Sequence, residues 1–298
     1  MDCLTNLPFN KKPPTKIHVD LNSCFASIEQ QANRHLRNKP VAVAAYNSPN
    51  GCILAASYEA KALGIKTGTR VQDGMVRCPG LIVMSPDAAK YKYIHSRFRQ
   101  LFSTYSHKVT PKSIDEFIID LEGCPSYKRG MHTVALEMRK RIKDEIGDSL
   151  RVNIGIATNN FLAKTAASLH KPEGMDEINE VNHIEIFKSL NLKDLCGIDK
   201  GNASRLNSSG IFSVLDLYEA SSDKLKRAIR SIMGHHWFYK MRGWEVEDIE
   251  FDRKSYGNSY ALPLPLSTVD ELAPLLTKLT QKAGQRLRKA GYKCQGIY

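Results

Sequence analysis

The sequence predicts an α+β protein built from modules: a ferredoxin-like sheet carrying a small insert, a helical unit after it, and a short mixed α/β segment at the end. Three observations carry that expectation. The alternating stretch Ile17–His18–Val19–Asp20–Leu21 passes directly into helical spacing, so apolar positions recur first at every second residue and then at i, i+3 and i+4. Strand-like and helix-like segments then follow in the order β, insert, α, β, β, α, β, α. Without the insert this is the split βαβ arrangement, an antiparallel-rich sheet with helices on one face. After Gly174 the composition shifts to short helices punctuated by glycine. At 298 residues the chain also exceeds the roughly 250 residues at which single cores stop growing, so two or three modules are expected.

The elements follow in order. A polar leader ends in Lys11-Lys12-Pro13-Pro14 and reads as a mobile tail. In the first strand Ile17, Val19 and Leu21 share one face, leaving His18 and Asp20 on the other. A helix follows from Asn22 to about Arg34. Pro40 to Ala45 and Cys52 to Ser57 read as short strands joined by the turn-rich Asn47-Ser48-Pro49-Asn50-Gly51, with a helix from Tyr58 to Leu63 stopped by Gly64. Tyr91, Ile94, Phe98, Leu101 and Phe102 form the core stripe of a long helix. Val109-Thr110 and Glu116 to Leu121 are expected as strands, Tyr127 to Ile146 as a helix, and Val152 to Ile156 as a fourth strand. The next helix is capped by Asn159 or Thr158. Glu245 to Lys254 is charged and aperiodic and reads as a linker, Tyr256 to Leu262 as a strand, and Ser267 to Ala290 as a long amphipathic helix.

The charge balance narrows the function. Lys and Arg number 43 against 31 Asp and Glu, giving a formal charge of +12 and a pI near 9.3. Such an excess favours a polyanionic partner through counterion release. No apolar run is long enough to span a bilayer and the N-terminus lacks a signal-peptide core, so a cytoplasmic protein is expected. Seven scattered cysteines with no CxxC pair suggest neither a zinc site nor a disulfide framework.

Two features suggest chemistry. Asp20 lies on the open face of the first strand, and Asp115 and Glu116 are adjacent at the start of another. Together they could form a three-carboxylate cluster. Magnesium takes oxygen ligands in octahedra at about 2.0–2.1 Å, typically a few carboxylates plus substrate phosphates. Two such ions about 3.5–4 Å apart can activate an attacking oxygen and stabilise a leaving group. On spacing alone, three ordinary surface acids would be the stronger reading; the wider motifs reverse it.

Val19-Asp20-Leu21-Asn22-Ser23-Cys24-Phe25-Ala26-Ser27-Ile28-Glu29 and Ser113-Ile114-Asp115-Glu116-Phe117 resemble the two acidic motifs of the Y-family translesion DNA polymerases, in order and in separation, and the resemblance extends over nearly the whole chain. It implies a low-fidelity, template-directed polymerase that uses two Mg²⁺ ions, with Mn²⁺ as a substitute. The implied metal ligands are Asp20, Asp115, Glu116 and the main-chain carbonyl of Leu21. Two positions depart from the common pattern: Asn22 stands where many members carry a second acid, and Phe117 where a small Ala is common.

The same resemblance implies a nucleotide pocket. Phe25 matches the aromatic steric gate that excludes a ribose 2′-hydroxyl, although its spacing also suits a core position. Ser57-Tyr58-Glu59-Ala60-Lys61 resembles the triphosphate-binding motif of the fingers, with Lys61 replacing an Arg and so a point charge replacing a bidentate fork. In Phe161 to Gly174, Lys164 and Lys171 are seven residues apart and are expected on one helical face, Lys171 reaching the triphosphate. Leu195 to Leu206 with Gly210-Ile211 looks like a helix-hairpin-helix, whose turn offers backbone N–H groups to a DNA phosphate. DNA contacts are assigned to Lys164, Gly197, Ile198, Gly201 and Lys254.

The implied organisation is a palm at 1–22 and 85–178, fingers at 23–84, a thumb at 179–246, a linker at 247–254 and a partial little finger at 255–298. The expected partners are primer–template DNA and deoxynucleoside triphosphates, with a monomeric protein, no membrane, and no sliding-clamp peptide, since the C-terminal region looks shortened. Two other readings stay open: a non-catalytic or truncated DNA-binding paralogue, and, more remotely, a nucleotide cyclase sharing the two-metal palm.

Overall fold

The computed structural model describes residues 7–246, 255–260, 262 and 264–297. Its main sheet has five strands in the order β5-β6-β1-β7-β8. These are β1 (Lys16–Leu21), β5 (Lys108–Pro111), β6 (Glu116–Asp120), β7 (Val152–Ala157) and β8 (Met175–Ile178). β1 is central and antiparallel to both β6 and β7, and β5 is antiparallel to β6. That is the ferredoxin-like pattern expected of the first four strands. The fifth, β8, runs parallel to β7 and was not expected: Met175–Ile178 includes two acids and has no alternation to mark it.

Beneath the sheet, α4 (Ala88–Ser103) and α5 (Met131–Arg141) pack on the face formed by Ile17, Val19 and Leu21. The predicted stripe Tyr91, Ile94, Phe98, Leu101 and Phe102 is all buried there. The single helix expected over 127–146 is broken. A 3₁₀ turn, Pro125–Arg129, ends at Gly130, whose φ of 86° favours glycine, and α5 then runs into a π-helical turn at Ile142–Ile146.

The expectation of helices on one face only is also corrected. α6 (Asn160–Leu169) lies on the opposite face, over β7 and β1. Gly155 permits this: a β-carbon there would lie 2.0 Å from the Ala163 carbonyl oxygen and 2.3 Å from the Ala167 nitrogen. Asn159, not Thr158, caps α6, accepting from Leu162 N–H at 2.8 Å, while the Thr158 hydroxyl donates to the Gly243 carbonyl at 2.7 Å.

The insert forms its own three-stranded sheet, β3-β2-β4, from β2 (Val41–Ala44), β3 (Ile53–Ala56) and β4 (Ile82–Met84), with α2 (Tyr58–Ala62) and α3 (Val71–Arg77). It is tied to the main sheet through α1 (Cys24–Ala32), which packs on β2 and β3 and on α4.

The helical unit comprises α7 (His183–Ser189), α8 (Lys200–Asn207), α9 (Val214–Glu219), α10 (Ser222–Ile229) and α11 (Ile232–Lys240). It is less separate than its composition suggested, because one apolar core runs from Phe161, Leu162 and Ala166 of α6 into Phe187, Leu206, Leu217 and Trp237. The leader joins that core from residue 7 onward, which corrects its reading as a mobile tail. Phe9 is buried and stacks on His183 at 4.0 Å, and the Asn10 amide donates to Gly243 O at 3.0 Å.

Towards the end, α12 (Val269–Lys289) forms as expected, its Thr268 and Glu271 making a reciprocal cap. The strand expected at Tyr256 to Leu262 does not form among the described residues: a strand needs a hydrogen-bonding neighbour, and no strand pairs with this stretch. The linker at 247–254 and Lys254 with it lie outside the described residues. No described helix is long and apolar enough to cross a membrane.

Candidate active site

Register brings the acids together. In the β1/β6 ladder Asp20 stands directly opposite Glu116, and Leu21 N–H donates to the Asp115 carbonyl at 2.9 Å. The three carboxylates thus gather where β1 ends and β6 begins, although 95 positions separate them in sequence. Their charges are felt: burial first, then Asp20 and Glu116, raise the Asp115 carboxyl above its ordinary range against a lowering hydrogen bond from Ser113.

Two lysines sit on this cluster. Lys164 Nζ lies 2.8 Å from both carboxylate oxygens of Glu116, and Lys171 Nζ pairs with Asp20 Oδ2. Burial alone would lower the Lys164 ammonium; the Glu116 bond and charge outweigh it, and the net shift is upward. Lys164, expected at DNA, is thus placed beside the acids, paired with Glu116. The two lysines also do not share a helical face, because α6 ends at Leu169 and Lys171 follows in the turn beyond. Both still reach the acids, one from the helix and one from its end.

Among the described residues no three His, Cys, Asp or Glu side chains converge closely enough to cage a metal. The donor chemistry nonetheless fits Mg²⁺. Three carboxylates and the Leu21 carbonyl are hard oxygens, and such ions are usually completed by water and substrate phosphate.

Asp20 and Asp115 line a cavity of about 220 Å³ together with Asn22, Phe25, Leu54, Tyr58, Lys61, Thr67 and Lys171. Phe25 is half-buried and stacks on Tyr91, centroids 4.3 Å apart and planes 17° apart. Tyr91 is fixed in turn by donating its hydroxyl to Glu29 at 2.9 Å. Burial, and then the Asp20 charge, push the Tyr58 phenol up to about 12, so it is a donor at neutral pH. Lys61 lies 4.9 Å from the Tyr58 ring centroid, and its ammonium is lowered by burial and then by Lys171, with Asp20 opposing.

The structure explains Asn22. Its amide nitrogen donates to Asn153 Oδ1 at 2.7 Å, and Asn153 Nδ2 donates to the carbonyls of Ala167 and His170 at 2.8 and 3.1 Å. An ionised acid at position 22 could only accept, so it would face Asn153 Oδ1 with no proton to share. Asn153 and Gly155 are the scaffold residues that motif reading missed. The available signal was a polar residue and a glycine inside an otherwise apolar strand.

In the hairpin unit Gly197 adopts φ 86°, Asp199 caps α8, and the Gly201 N–H already donates to Asp199 Oδ1 at 2.9 Å. Ile198 is buried, so its side chain is not available to DNA.

The fold places the chain among the Y-family DNA polymerases. It superposes on the Y-family DNA polymerase chimera Dbh-Dpo4(243-245)-Dbh with a TM-score of 0.80 at 25% identity, covering 91% of this chain and 79% of that one. It likewise matches an insertion ternary complex of Dbh DNA polymerase with a TM-score of 0.71 at 25% identity, covering 91% and 80%. Residues 19–168 match the impB/mucB/samB family model. DNA polymerase IV 1 of Bacillus subtilis is 33% identical over 277 residues, 91% of this chain and 66% of that relative. DNA polymerase IV of Francisella tularensis subsp. holarctica is 33% identical over 281 residues, 93% of this chain and 79% of that relative. The chain belongs to the impB/mucB/samB family of Y-family, DNA polymerase IV-like proteins. It spans 66% of the length of the Bacillus relative.

Proposed function

We propose that this chain is a DNA-directed DNA polymerase that extends a primer by template-directed nucleotidyl transfer, with the low fidelity of translesion synthesis. The observation that carries the reading is the ladder pairing of Asp20 with Glu116, with Asp115 bonded to Leu21, at the mouth of a cavity that also holds Tyr58 and Lys61. Homologues named DNA polymerase IV and Y-family structural neighbours support the same activity.

Asp20, Asp115, Glu116 and the Leu21 carbonyl would hold two divalent ions, Mg²⁺ by preference. When bound, such ions lower the pKa of the primer 3′-hydroxyl and offset charge on the pyrophosphate leaving group. The chain's own residues do the positioning, which is most of what phosphoryl chemistry asks of a protein. Tyr58 donates a hydrogen bond to the triphosphate, and Lys61 and Lys171 neutralise it, Lys171 leaving Asp20 to do so. Phe25, braced by Tyr91, closes the sugar side of the cavity against a 2′-hydroxyl.

The assignment of palm, fingers, thumb and partial little finger to the ranges given above belongs to this reading. So does a monomer working in the cytoplasm on primer–template DNA, for which the excess of 43 basic over 31 acidic residues supplies attraction.

The test is extension of a primed template by this chain with Mg²⁺ and four deoxynucleotides at low salt, beside Asp115→Ala. We expect extension by the wild type and a loss of about 10³-fold or more in the variant, the scale of removing one essential electrostatic group, with primer–template binding retained. Binding without extension by the wild type would instead establish a non-catalytic DNA-binding protein.

A further inference from the structure

Asp115 sits in a turn, and β6 begins only at Glu116. Within the turn, Lys112 N–H donates to Glu116 O at 2.9 Å, and the Ser113 hydroxyl donates to Asp115 Oδ1. These local bonds shape the turn without fixing it on the protein. One anchor is Leu21 N–H on the Asp115 carbonyl. A further one, beside the packing of the Ile114 side chain on the core, comes from α4, below the sheet. His95 Nδ1 lies 3.1 Å from the Ile114 carbonyl oxygen, and because a carbonyl only accepts, Nδ1 carries the proton of that bond.

The same imidazole stacks on Phe117, centroids 4.7 Å apart and planes 29° apart. Phe117 is fully buried, with Phe98 and Phe102 at 6.1 and 5.2 Å between centroids. On either side of His95 in the helix, Ile94 and Phe98 are buried, which stops α4 from rotating its imidazole away. One half-buried ring therefore touches the residue before Asp115 and the residue after Glu116.

We infer that His95 is a positioning residue for the Asp115–Glu116 pair. Its Nδ1–H fixes the Ile114 carbonyl, and with it the direction in which the next carboxylate leaves the turn. Phe117 is the shelf that aims the donor, which gives a role to the large ring found where a small residue is common. The inference rests on the proposed reading of these carboxylates as a divalent-metal site.

The test measures metal binding, not turnover. Unbound Mn²⁺ is read by electron paramagnetic resonance during titration of the full chain without DNA or nucleotide. His95→Phe keeps a stacking ring and loses the donor; His95→Asn loses the ring and keeps an amide donor near the Nδ1 position. We expect His95→Phe to weaken Mn²⁺ binding about three- to tenfold, the effect of one positioned hydrogen bond, in a protein still fully folded at the assay temperature. His95→Asn should stay within about twofold of wild type, a rescue that packing alone would not give, since it restores the donor whose loss costs the three- to tenfold. Wild-type binding by His95→Phe overturns the inference, as does His95→Asn binding no better than His95→Phe. If the wild type binds Mn²⁺ no better than Asp115→Ala, the reading of the carboxylates fails, and the inference falls with it.

Discussion

Gly155→Ala is the substitution most directly priced by this structure. A β-carbon at 155 would lie 2.0 Å from Ala163 O, 2.3 Å from Ala167 N and 3.0 Å from Ala166 C, all backbone atoms of α6. A side chain could rotate aside, but a helix backbone must translate, so the cost belongs at the upper end of overpacking, about 3 kcal/mol. At about 2–4 °C per kcal/mol for a cooperative unit of this size, melting should fall by roughly 6–12 °C. The functional effect has a separate cause. α6 carries Lys164, which meets both oxygens of Glu116 at 2.8 Å, and its C-terminal turn carries Lys171. Lifting the helix off β7 carries Lys171 away from the cavity in which the proposed reading places the triphosphate, so single-turnover nucleotide insertion should slow even at temperatures where the variant is fully folded. Circular dichroism melts and rapid-quench insertion assays measure the two effects. Melting within about 2 °C of wild type, at most about 1 kcal/mol on that scale, would refute the close-packing argument.

Other expectations follow from the same geometry. His18 is buried and unpartnered at Nδ1, and burial pulls its pKa from 6.5 down to about 4, against the raising effect of Asp20. The unfolded chain takes up this proton near 6.5 and the folded one only near 4, so stability is intact above about pH 6.5 and declines as pH falls from there toward 4, by up to about 3 kcal/mol. Urea midpoints across that range should fall less steeply in His18→Asn. Phe25→Ala should raise ribonucleotide insertion about tenfold or more, the scale of relieving one misfit group in a pocket, with deoxynucleotide insertion little changed; unchanged discrimination would remove Phe25 from the gate. Asn22→Asp replaces the donor to Asn153 with an acceptor and should cost about 1–3 kcal/mol in chemical denaturation. An unaltered midpoint would show that the Asn22–Asn153 bond is dispensable.

Much of this protein was legible from local pattern. Alternation at Ile17 to Leu21 specified both the strand and its open face, because strand side chains alternate whatever the partner. The α4 stripe needed only helical periodicity, and the two acidic motifs supplied the candidate ligands. Motifs could name Asp20, Asp115 and Glu116 without showing that they meet.

Their meeting was decided by the register of β1 against β6, a pairing between segments about a hundred residues apart that no local spacing encodes. The same holds for β8, whose existence depends on an edge of β7 being free, and for the stretch at Tyr256 to Leu262, where strand-like composition found no strand to pair with among the described residues. Lys164 and Lys171 read as ligands for phosphate or DNA, and the fold pairs them with Glu116 and Asp20. No motif marks His95, and only the fold brings Phe117 and Ile114 beside it. The sequence by itself determined which residues carry charge, periodicity and motif, since those are properties of neighbours along the chain. Tertiary structure alone decided which of them share a site, because hydrogen-bond registry and close approach, such as α6 resting on Gly155, are properties of neighbours in space.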